Sequence, residues 1–343
     1  MKPPGGHRWR FNERLARVSL LAGSLLLALL LAEGLTRLLH PISDRRDNIA
    51  PDGRYLHSWL EPNTVYRQVS NEYDALTTIT DKGHRVPASD DPEVVFLGDS
   101  FTFGSGLADE ETFASLYCME RRLRCANLGI PGSGTLKQIE KFESALASWS
   151  WRPREVKLFF FGMSTSFSAG NDFVDNYNRE ITEQRRRAGI APEEDQPRPR
   201  GGLAEKLIGT QSFLLRHSNL MRMLKFYAGP ALKSLVLADP GAERMSVALA
   251  ATRQALERLD ELSREHGFSY SIYLIVPVHD ILRGSETQTL ETLNGVSPKP
   301  AIATAGALSD DPTRYYYAFD GHLNPRGSRR IAELLLSLDT KGS

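Results

Sequence analysis

Val94-Val95-Phe96-Leu97-Gly98-Asp99-Ser100-Phe101-Thr102-Phe103-Gly104 (VVFLGDSFTFG) runs from an apolar series directly into a small polar turn. A β-branched and aromatic run closed by glycine reads as a buried strand, and open α/β sheets hold ligands at the carboxyl ends of such strands. Ser100 therefore stands where chemistry is usually done. A serine hydroxyl is a poor nucleophile until a base takes its proton, so the sequence must also supply that base.

Downstream, apolar runs and helical spacings alternate. The pattern predicts strand 93–97, a helix near 110–123, strand 125–128, a helix near 135–148 and strand 155–161. Met245 to His266 and Leu203 to Tyr227 have helical spacing, Ser269 to Val276 reads as a buried strand and Pro325 to Leu338 as a last helix. Tyr315-Tyr316-Tyr317 is a candidate for a short fifth strand. Alternation of this kind implies a parallel sheet with helices on both faces and all strand-end turns on one edge. Arg179 to Gly202, rich in mixed charge with proline and glycine, reads as a solvated loop inserted into the alternation.

Eight histidines are present. His7 and His40 flank an apolar segment, His217 and His266 fall on predicted helices, and His57 and His84 lie in an irregular lead-in. His279, beside Asp280, follows the strand SYSIYLIVP; neighbouring side chains in an extended segment point apart, which disfavours Asp280 as its orienter. In Phe319-Asp320-Gly321-His322-Leu323-Asn324-Pro325 the glycine lets a tight turn fold the carboxylate onto one ring nitrogen of His322, leaving the other for a serine. Taken alone, DGH before Asn-Pro is also ordinary turn chemistry.

The amino-terminal part differs in kind. Lys2, Arg8, Arg10, Arg14 and Arg17 precede an almost purely aliphatic series, Val18 to Ala32. Those residues span roughly 22 Å as a helix, short of the roughly 30 Å hydrocarbon core. Continuation through Leu35, Leu38 and Leu39 supplies the rest if Glu33 and Arg37 reach the far headgroups. The expected organisation is a basic cytoplasmic segment 1–17, a single transmembrane helix 18–39, an extracytoplasmic lead-in 40–90 and a catalytic domain 91–340 with a loop insertion near 179–202. A cleaved signal peptide is the rival for the first of these, although no tidy small-x-small site is followed by a mature start. Residues 41 to 90, polar and irregular with Pro41, Pro51, Pro62 and Pro87, read as a tether and an amino-terminal lead-in wrapped on the main domain.

Lysine plus arginine (42) balances aspartate plus glutamate (42), so no overall field favours a nucleic-acid partner. Cys118 and Cys125 are the two cysteines, and an oxidising location would allow them to pair or leave them as buried thiols. Metal and nucleotide signatures such as HExxH, paired CxxC, an EF-hand loop or a GKS/T loop are missing, so no cofactor or metal is expected.

Gly98-Asp99-Ser100 together with Asp320-Gly321-His322 resembles the SGNH/GDSL hydrolase family, whose first block is GDS in a strand-to-helix turn and whose last is DxxH or DxH. The resemblance runs from about Asp81-Lys82-Gly83-His84-Arg85-Val86 to about Leu338. It implies a flavodoxin-like three-layer α/β/α sandwich with a parallel sheet, Ser100 as nucleophile, His322 as base and Asp320 as its orienting acid. It also implies an oxyanion hole from the Ser100 amide, a glycine amide after the second strand and an asparagine side chain after the third.

In Asn127 to Thr135 the glycine that best fits is Gly132, with Gly129 and Gly134 as alternatives. The third block departs from the pattern, since Met-Ser-Thr-Ser-Phe-Ser-Ala separates Phe161-Gly162 from Gly170-Asn171-Asp172-Phe173. Asn171 is the expected donor if that insertion loops out, with Ser164 or Ser166 as stand-ins if it does not. Asp172 and Asn176 read as turn residues.

The expected function is a membrane-tethered serine esterase acting on an acylated small molecule or polysaccharide outside the cytoplasm. An O-acyltransferase and an inactive tethered binding or assembly protein are the alternatives; Tyr315 to Tyr317 are candidates for the acceptor-side aromatics of the former, with plain core packing the favoured role for them. Nothing in the sequence names a protein partner.

Overall fold

A computed structural model describes residues 6–39, 46–49, 60–162, 171–189, 218–221, 223 and 242–342. The chain divides into two compact units, Met1–Asp44 with Pro199–Lys233, and Arg45–Arg198 with Ser234–Ser343.

In the first unit, helix α1 (Gly6–Leu39) contains an apolar stretch, Leu15–Leu39, none of it buried. Twenty-five helical residues cover about 37 Å, enough to cross a bilayer. A helix of this composition near the amino terminus serves either as a span or as a signal sequence. Glu33 does not extend away as expected. Its carboxylate pairs with Arg37 at 2.6 Å and accepts from Ser218 Oγ (2.7 Å), Asn219 N (2.9 Å) and Leu220 N (3.0 Å), satisfying an acid that hydrocarbon would penalise.

The second unit is built on one nine-stranded sheet. In chain order its strands are β1 (Arg46–Ile49), β2 (Thr64–Val69), β3 (Asp74–Ile79), β4 (Arg85–Ala88), β5 (Val94–Gly98), β6 (Cys125–Asn127), β7 (Glu155–Phe161), β8 (Ser269–Ile275) and β9 (Ile302–Ala303). Their spatial order is β1-β2-β3-β4-β6-β5-β7-β8-β9. From β6 to β9 every pairing is parallel, in the doubly wound order 2-1-3-4-5, and β1 to β4 extend the sheet antiparallel from β6.

Strand β5 is buried along its whole length, and its alternating side chains feed two cores. Val95 and Leu97 join β7 and β8 residues against helices α4 (Thr135–Ser148), α5 (Asp172–Arg187), α6 (Ala242–His266) and α8 (Glu286–Asn294). Val94 and Phe96 face the other way, toward α3 (Phe113–Arg121) and α9 (Pro325–Gly342), with Ile331 and Leu335 fully buried. Helices thus cover both faces of the parallel part, because strands buried on two sides must each meet an apolar stripe. Helices α2 (Ser100–Phe103) and α7 (Val278–Arg283) are short.

Three sequence expectations change. The supposedly irregular lead-in holds the β2–β3 hairpin and β4. Helix α5 takes the first nine residues assigned to the charged loop, Arg179 to Arg187, where Arg186 and Arg187 pair with Glu183 one turn back; residues 190–202 lie outside the described residues, as does most of the predicted helix 203–227. The fifth parallel strand is Ile302–Ala303, whereas Tyr316 makes only an isolated bridge to Leu323. Cys118, in α3, and Cys125, opening β6, form a disulfide with their Cα atoms 6.3 Å apart.

Candidate active site

The site begins where β5 gives way to α2. Asp99 caps that helix, its Oδ1 accepting from Phe101 N at 2.9 Å, so Ser100 opens the first turn. The turn needs Gly98. Its φ is +155°, and a Cβ there would stand 2.1 Å from Thr102 Oγ1 and 2.8 Å from the Phe159 carbonyl. Ile130 N donates to the Gly98 carbonyl at 2.9 Å and Asn127 Nδ2 to the Thr102 carbonyl at 2.8 Å, which ties the turn to the loop after β6.

His322 arrives from the loop before α9. Gly321 adopts φ +82°, and Tyr317 N donates to the His322 carbonyl at 2.8 Å while Gly321 N donates to the Tyr317 carbonyl at 3.0 Å. This hooks the segment so that His322 Nδ1 meets Asp320 Oδ1 and Nε2 lies 2.8 Å from Ser100 Oγ. The imidazole packs on Phe101 with ring centroids 4.9 Å apart, and Phe101 in turn stacks on Phe161 at 4.6 Å. The Asp320 side chain is 5% exposed and that of His322 17%, so the carboxylate is shielded from water while the imidazole keeps an open side. The turn expected around Gly321 and the meeting of Ser100 with His322 are both present in the geometry.

His279 sits on α7 rather than in a strand end. Its Nε2 is 3.6 Å from Asp280 Oδ1, but Asp280 is fully buried and accepts from Ser285 Oγ at 3.1 Å.

Among the three glycines after β6, Gly129 and Gly134 have steric reasons to be glycine. A Cβ on Gly129 would come 2.3 Å from Phe103 N, and one on Gly134 2.5 Å from Asn176 Oδ1. The Gly129 amide already donates to Asn127 Oδ1 at 3.0 Å. Gly132 is exposed, has φ +65° and would meet nothing with an added Cβ. Asn171 is buried and caps α5, its Oδ1 accepting from Val174 N at 3.0 Å. Residues 163–170, which include Ser164 and Ser166, lie outside the described residues. Gly132 and Asn171 follow the carboxyl ends of β6 and β7, the same edge of the sheet from which Ser100 emerges.

Two further carboxylates lie behind the serine. Burial pushes Asp99 up to about 7, partly offset by the Phe101 amide and by His322. Burial, reinforced by the charge of Asp99, raises Asp172 well above its ordinary range, although it accepts from Thr135 Oγ1 at 3.0 Å and Gln138 Nε2 at 3.3 Å. Asp172 is therefore more than a turn residue: it is a buried acid tied to α4. Asn176 likewise bridges elements, Nδ2 donating to Thr252 Oγ1 at 3.0 Å and Oδ1 accepting from Leu136 N at 2.9 Å.

No family model matches the chain, and no curated protein matches its sequence. Among solved structures, a member of the lipolytic protein G-D-S-L family from Veillonella parvula is 13% identical, with 72% of this chain and 97% of that one covered and a TM-score of 0.39. An alpha/beta hydrolase enzyme from the metagenome of Lake Arreo is 13% identical over 72% and 94% of the two chains, TM-score 0.36. A carbohydrate esterase is 11% identical over 75% and 66%, TM-score 0.35. At these scores the likeness is coarse, and the chemistry of this chain has to be read from its own residues.

Proposed function

We propose that this chain is a serine ester hydrolase of the SGNH/GDSL type, with a flavodoxin-like sandwich, in which Ser100 is the nucleophile, His322 the base and Asp320 the acid that orients it. The observation that carries the reading is the unbroken relay Ser100 Oγ–His322 Nε2, His322 Nδ1–Asp320 Oδ1 at the carboxyl edge of a parallel sheet. As Oγ attacks an ester carbonyl, its proton passes to Nε2 and the C=O electrons move onto oxygen. Collapse of that tetrahedral adduct expels the alcohol, which leaves with the proton held by His322, and the acyl group stays on Oγ. Water then repeats the sequence on the acyl-enzyme and releases the acid.

The developing oxyanion needs fixed donors, each worth roughly 3 kcal/mol in the transition state. The Ser100 amide, the Gly132 amide and the Asn171 side-chain amide are assigned to it; the open, left-handed turn at Gly132 and the fixed cap at Asn171 suit that role. An ester of a small molecule or a polysaccharide is the substrate class. Helix α1 is assigned as a single membrane anchor behind a basic cytoplasmic segment, with the second unit on the extracytoplasmic side; the Cys118–Cys125 disulfide suits an oxidising compartment.

The acyltransferase alternative loses its aromatic argument. Tyr315, Tyr316 and Tyr317 are buried, and their hydroxyls donate to Asp310 (2.9 Å), the Val276 carbonyl (2.8 Å) and the Gly106 carbonyl (2.7 Å). They are packing residues, as aromatic side chains with a satisfied polar tip commonly are.

The test is labelling of the full chain with a fluorophosphonate probe, with turnover of p-nitrophenyl acetate beside it. Ser100→Ala is expected to abolish labelling, and His322→Ala to lower turnover about 10⁴-fold or more. A wild-type chain that neither labels nor turns over would overturn the reading in favour of a binding protein.

A further inference from the structure

The hairpin that the sequence leaves as tether reaches the acid of the relay. The turn between β2 and β3 carries Glu72 and Tyr73. The Glu72 carboxylate accepts from Phe319 N at 3.1 Å and from Asp320 N at 2.8 Å. Tyr73 Oη donates to Asp320 Oδ2 at 3.0 Å, leaving Oδ1 of the same carboxylate for His322. We propose that Glu72 and Tyr73 are positioning residues for the loop that carries Asp320 and His322, holding Asp320 so that its Oδ1 meets the imidazole. This rests on the reading of Ser100, His322 and Asp320 as a catalytic relay.

The turn is itself preorganised. Ser70 Oγ accepts from Glu72 N at 3.0 Å, and Ser70 N donates to the Tyr73 carbonyl at 2.9 Å. The Tyr73 ring packs on Tyr317 with centroids 5.0 Å apart, and Tyr317 Oη donates to the Gly106 carbonyl. Gly106 N in turn donates to Gln68 Oε1 at 3.0 Å, and Gln68 Nε2 to Thr77 Oγ1 at 2.6 Å, within the hairpin. One hairpin thus touches the loop after the nucleophile and the loop that carries its base, two segments more than two hundred positions apart in sequence.

Bringing Glu72 up to a second carboxylate costs Coulomb energy, and a stretch that needed only packing would use a neutral side chain there. The arrangement makes sense if the two backbone amides that Glu72 accepts from must be fixed. Catalysis is sensitive to such placement, since displacement of a catalytic group by about 1 Å costs on the order of a hundredfold. The groups facing the imidazole and its acid are Asp99 beside Ser100, Asp320 itself, Glu72 and Tyr73 from the hairpin, and Tyr317, which senses Glu111 as well.

Tyr73 Oη also fixes the second oxygen of Asp320. Without that donor the carboxylate can turn, and its Oδ1 loses alignment with His322 Nδ1, so the loss falls on kcat rather than on KM.

The experiment measures p-nitrophenyl acetate turnover by the full chain, with kcat and KM separated, and fluorophosphonate labelling, for wild type, Tyr73→Phe, Glu72→Gln, Ser100→Ala and His322→Ala. Tyr73→Phe keeps the ring on Tyr317, removes the bond to Asp320 Oδ2 and is expected to lower kcat severalfold with KM little changed. Glu72→Gln removes the charge and one of the two acceptor oxygens and is expected to lower kcat severalfold, again with KM little changed. If Ser100→Ala and His322→Ala retain turnover and labelling, the catalytic reading itself has failed. If those two abolish both signals while Tyr73→Phe and Glu72→Gln keep the wild-type kcat and KM, the positioning role is overturned and the catalytic reading stands.

Discussion

Arg85 offers a test of how firmly the antiparallel extension holds the loop that follows Ser100. Its side chain, on β4, has no exposure to solvent, and its guanidinium donates to the carbonyls of Phe103 (2.6 Å), Gly104 (2.5 Å) and Leu107 (2.6 Å), with Nε 3.3 Å from Asp109 Oδ1. Charge-assisted hydrogen bonds contribute roughly 1.5–3 kcal/mol each, so the three carbonyl contacts together are worth about 4–9 kcal/mol before desolvation. Burying the cation takes back several of those, and removal of one partner from such buried ionic networks costs about 3–5 kcal/mol.

Arg85→Met keeps an apolar side chain of similar length but removes the guanidinium that lies 4.9 Å from the Phe103 ring centroid. Gly104 O keeps the bond from Leu107 N at 3.1 Å, so the loss falls mainly on Phe103 O, Leu107 O and Asp109. With a urea dependence on the order of 3 kcal/mol per molar, the unfolding midpoint should fall by about 1–1.7 M. A midpoint within about 0.3 M of wild type would show that the loop is held by packing alone and refute the assignment of Arg85 as its anchor.

Gly98→Ala should destabilise the domain and slow fluorophosphonate labelling sharply, because the added methyl meets Thr102 Oγ1 and the Phe159 carbonyl at 2.1 and 2.8 Å, moving α2 or the strand beside it; unchanged labelling would show that the turn tolerates the displacement. Asp99→Asn addresses the buried acid. Because burial raises Asp99 to about 7, the folded protein holds a proton that the unfolded chain releases above a pH of about 4, and wild-type stability falls between those values as pH rises. The asparagine variant lacks that loss, so its stability relative to wild type should climb from pH 4 to 7 and level off above, as read by urea unfolding at several pH values. A difference independent of pH would contradict it.

The parallel half of the sheet was legible because its strands are buried on both faces and its helices carry clear apolar stripes; the helix at Thr135–Ser148 and the strand at Glu155–Phe161 fall where periodicity puts them. The antiparallel extension was not, and its residues explain why. On β2 the inward positions are Thr64, Tyr66 and Gln68 while Val65 points out, and on β3 Thr77 is buried while Leu76 is exposed. An inner face that mixes Thr64, Gln68 and Thr77 with Tyr66, Ala75 and Ile79, and an outer face that carries Val65 and Leu76, blurs the alternation on which strand recognition rests. The hairpin is fixed by hydrogen bonds such as Gln68–Thr77 and Gln68–Gly106, which leave no trace in hydropathy.

At the site, GDS and DGH announced themselves by residue type and turn chemistry. Glu72, Tyr73 and Arg85 did not, since their partners lie 18 to 248 positions away and nothing local marks a side chain that holds a distant backbone. The alternation disfavouring His279 rested on a strand, whereas the structure has a helix there; the buried, Ser285-bound carboxylate of Asp280 is the better reason to set that pair aside.

The wide spacing of the site along the chain also fixes when it comes into being. During synthesis the hairpin of residues 64–79 emerges first, the serine follows, and the imidazole waits until about two hundred more residues have been added and β7, β8 and β9 have closed the sheet between them. On the reading proposed above, a ribosome-bound fragment that ends before His322 holds a serine without its base, however well its early strands have folded. Ser100 then becomes reactive only once His322 has been made and docked beside it.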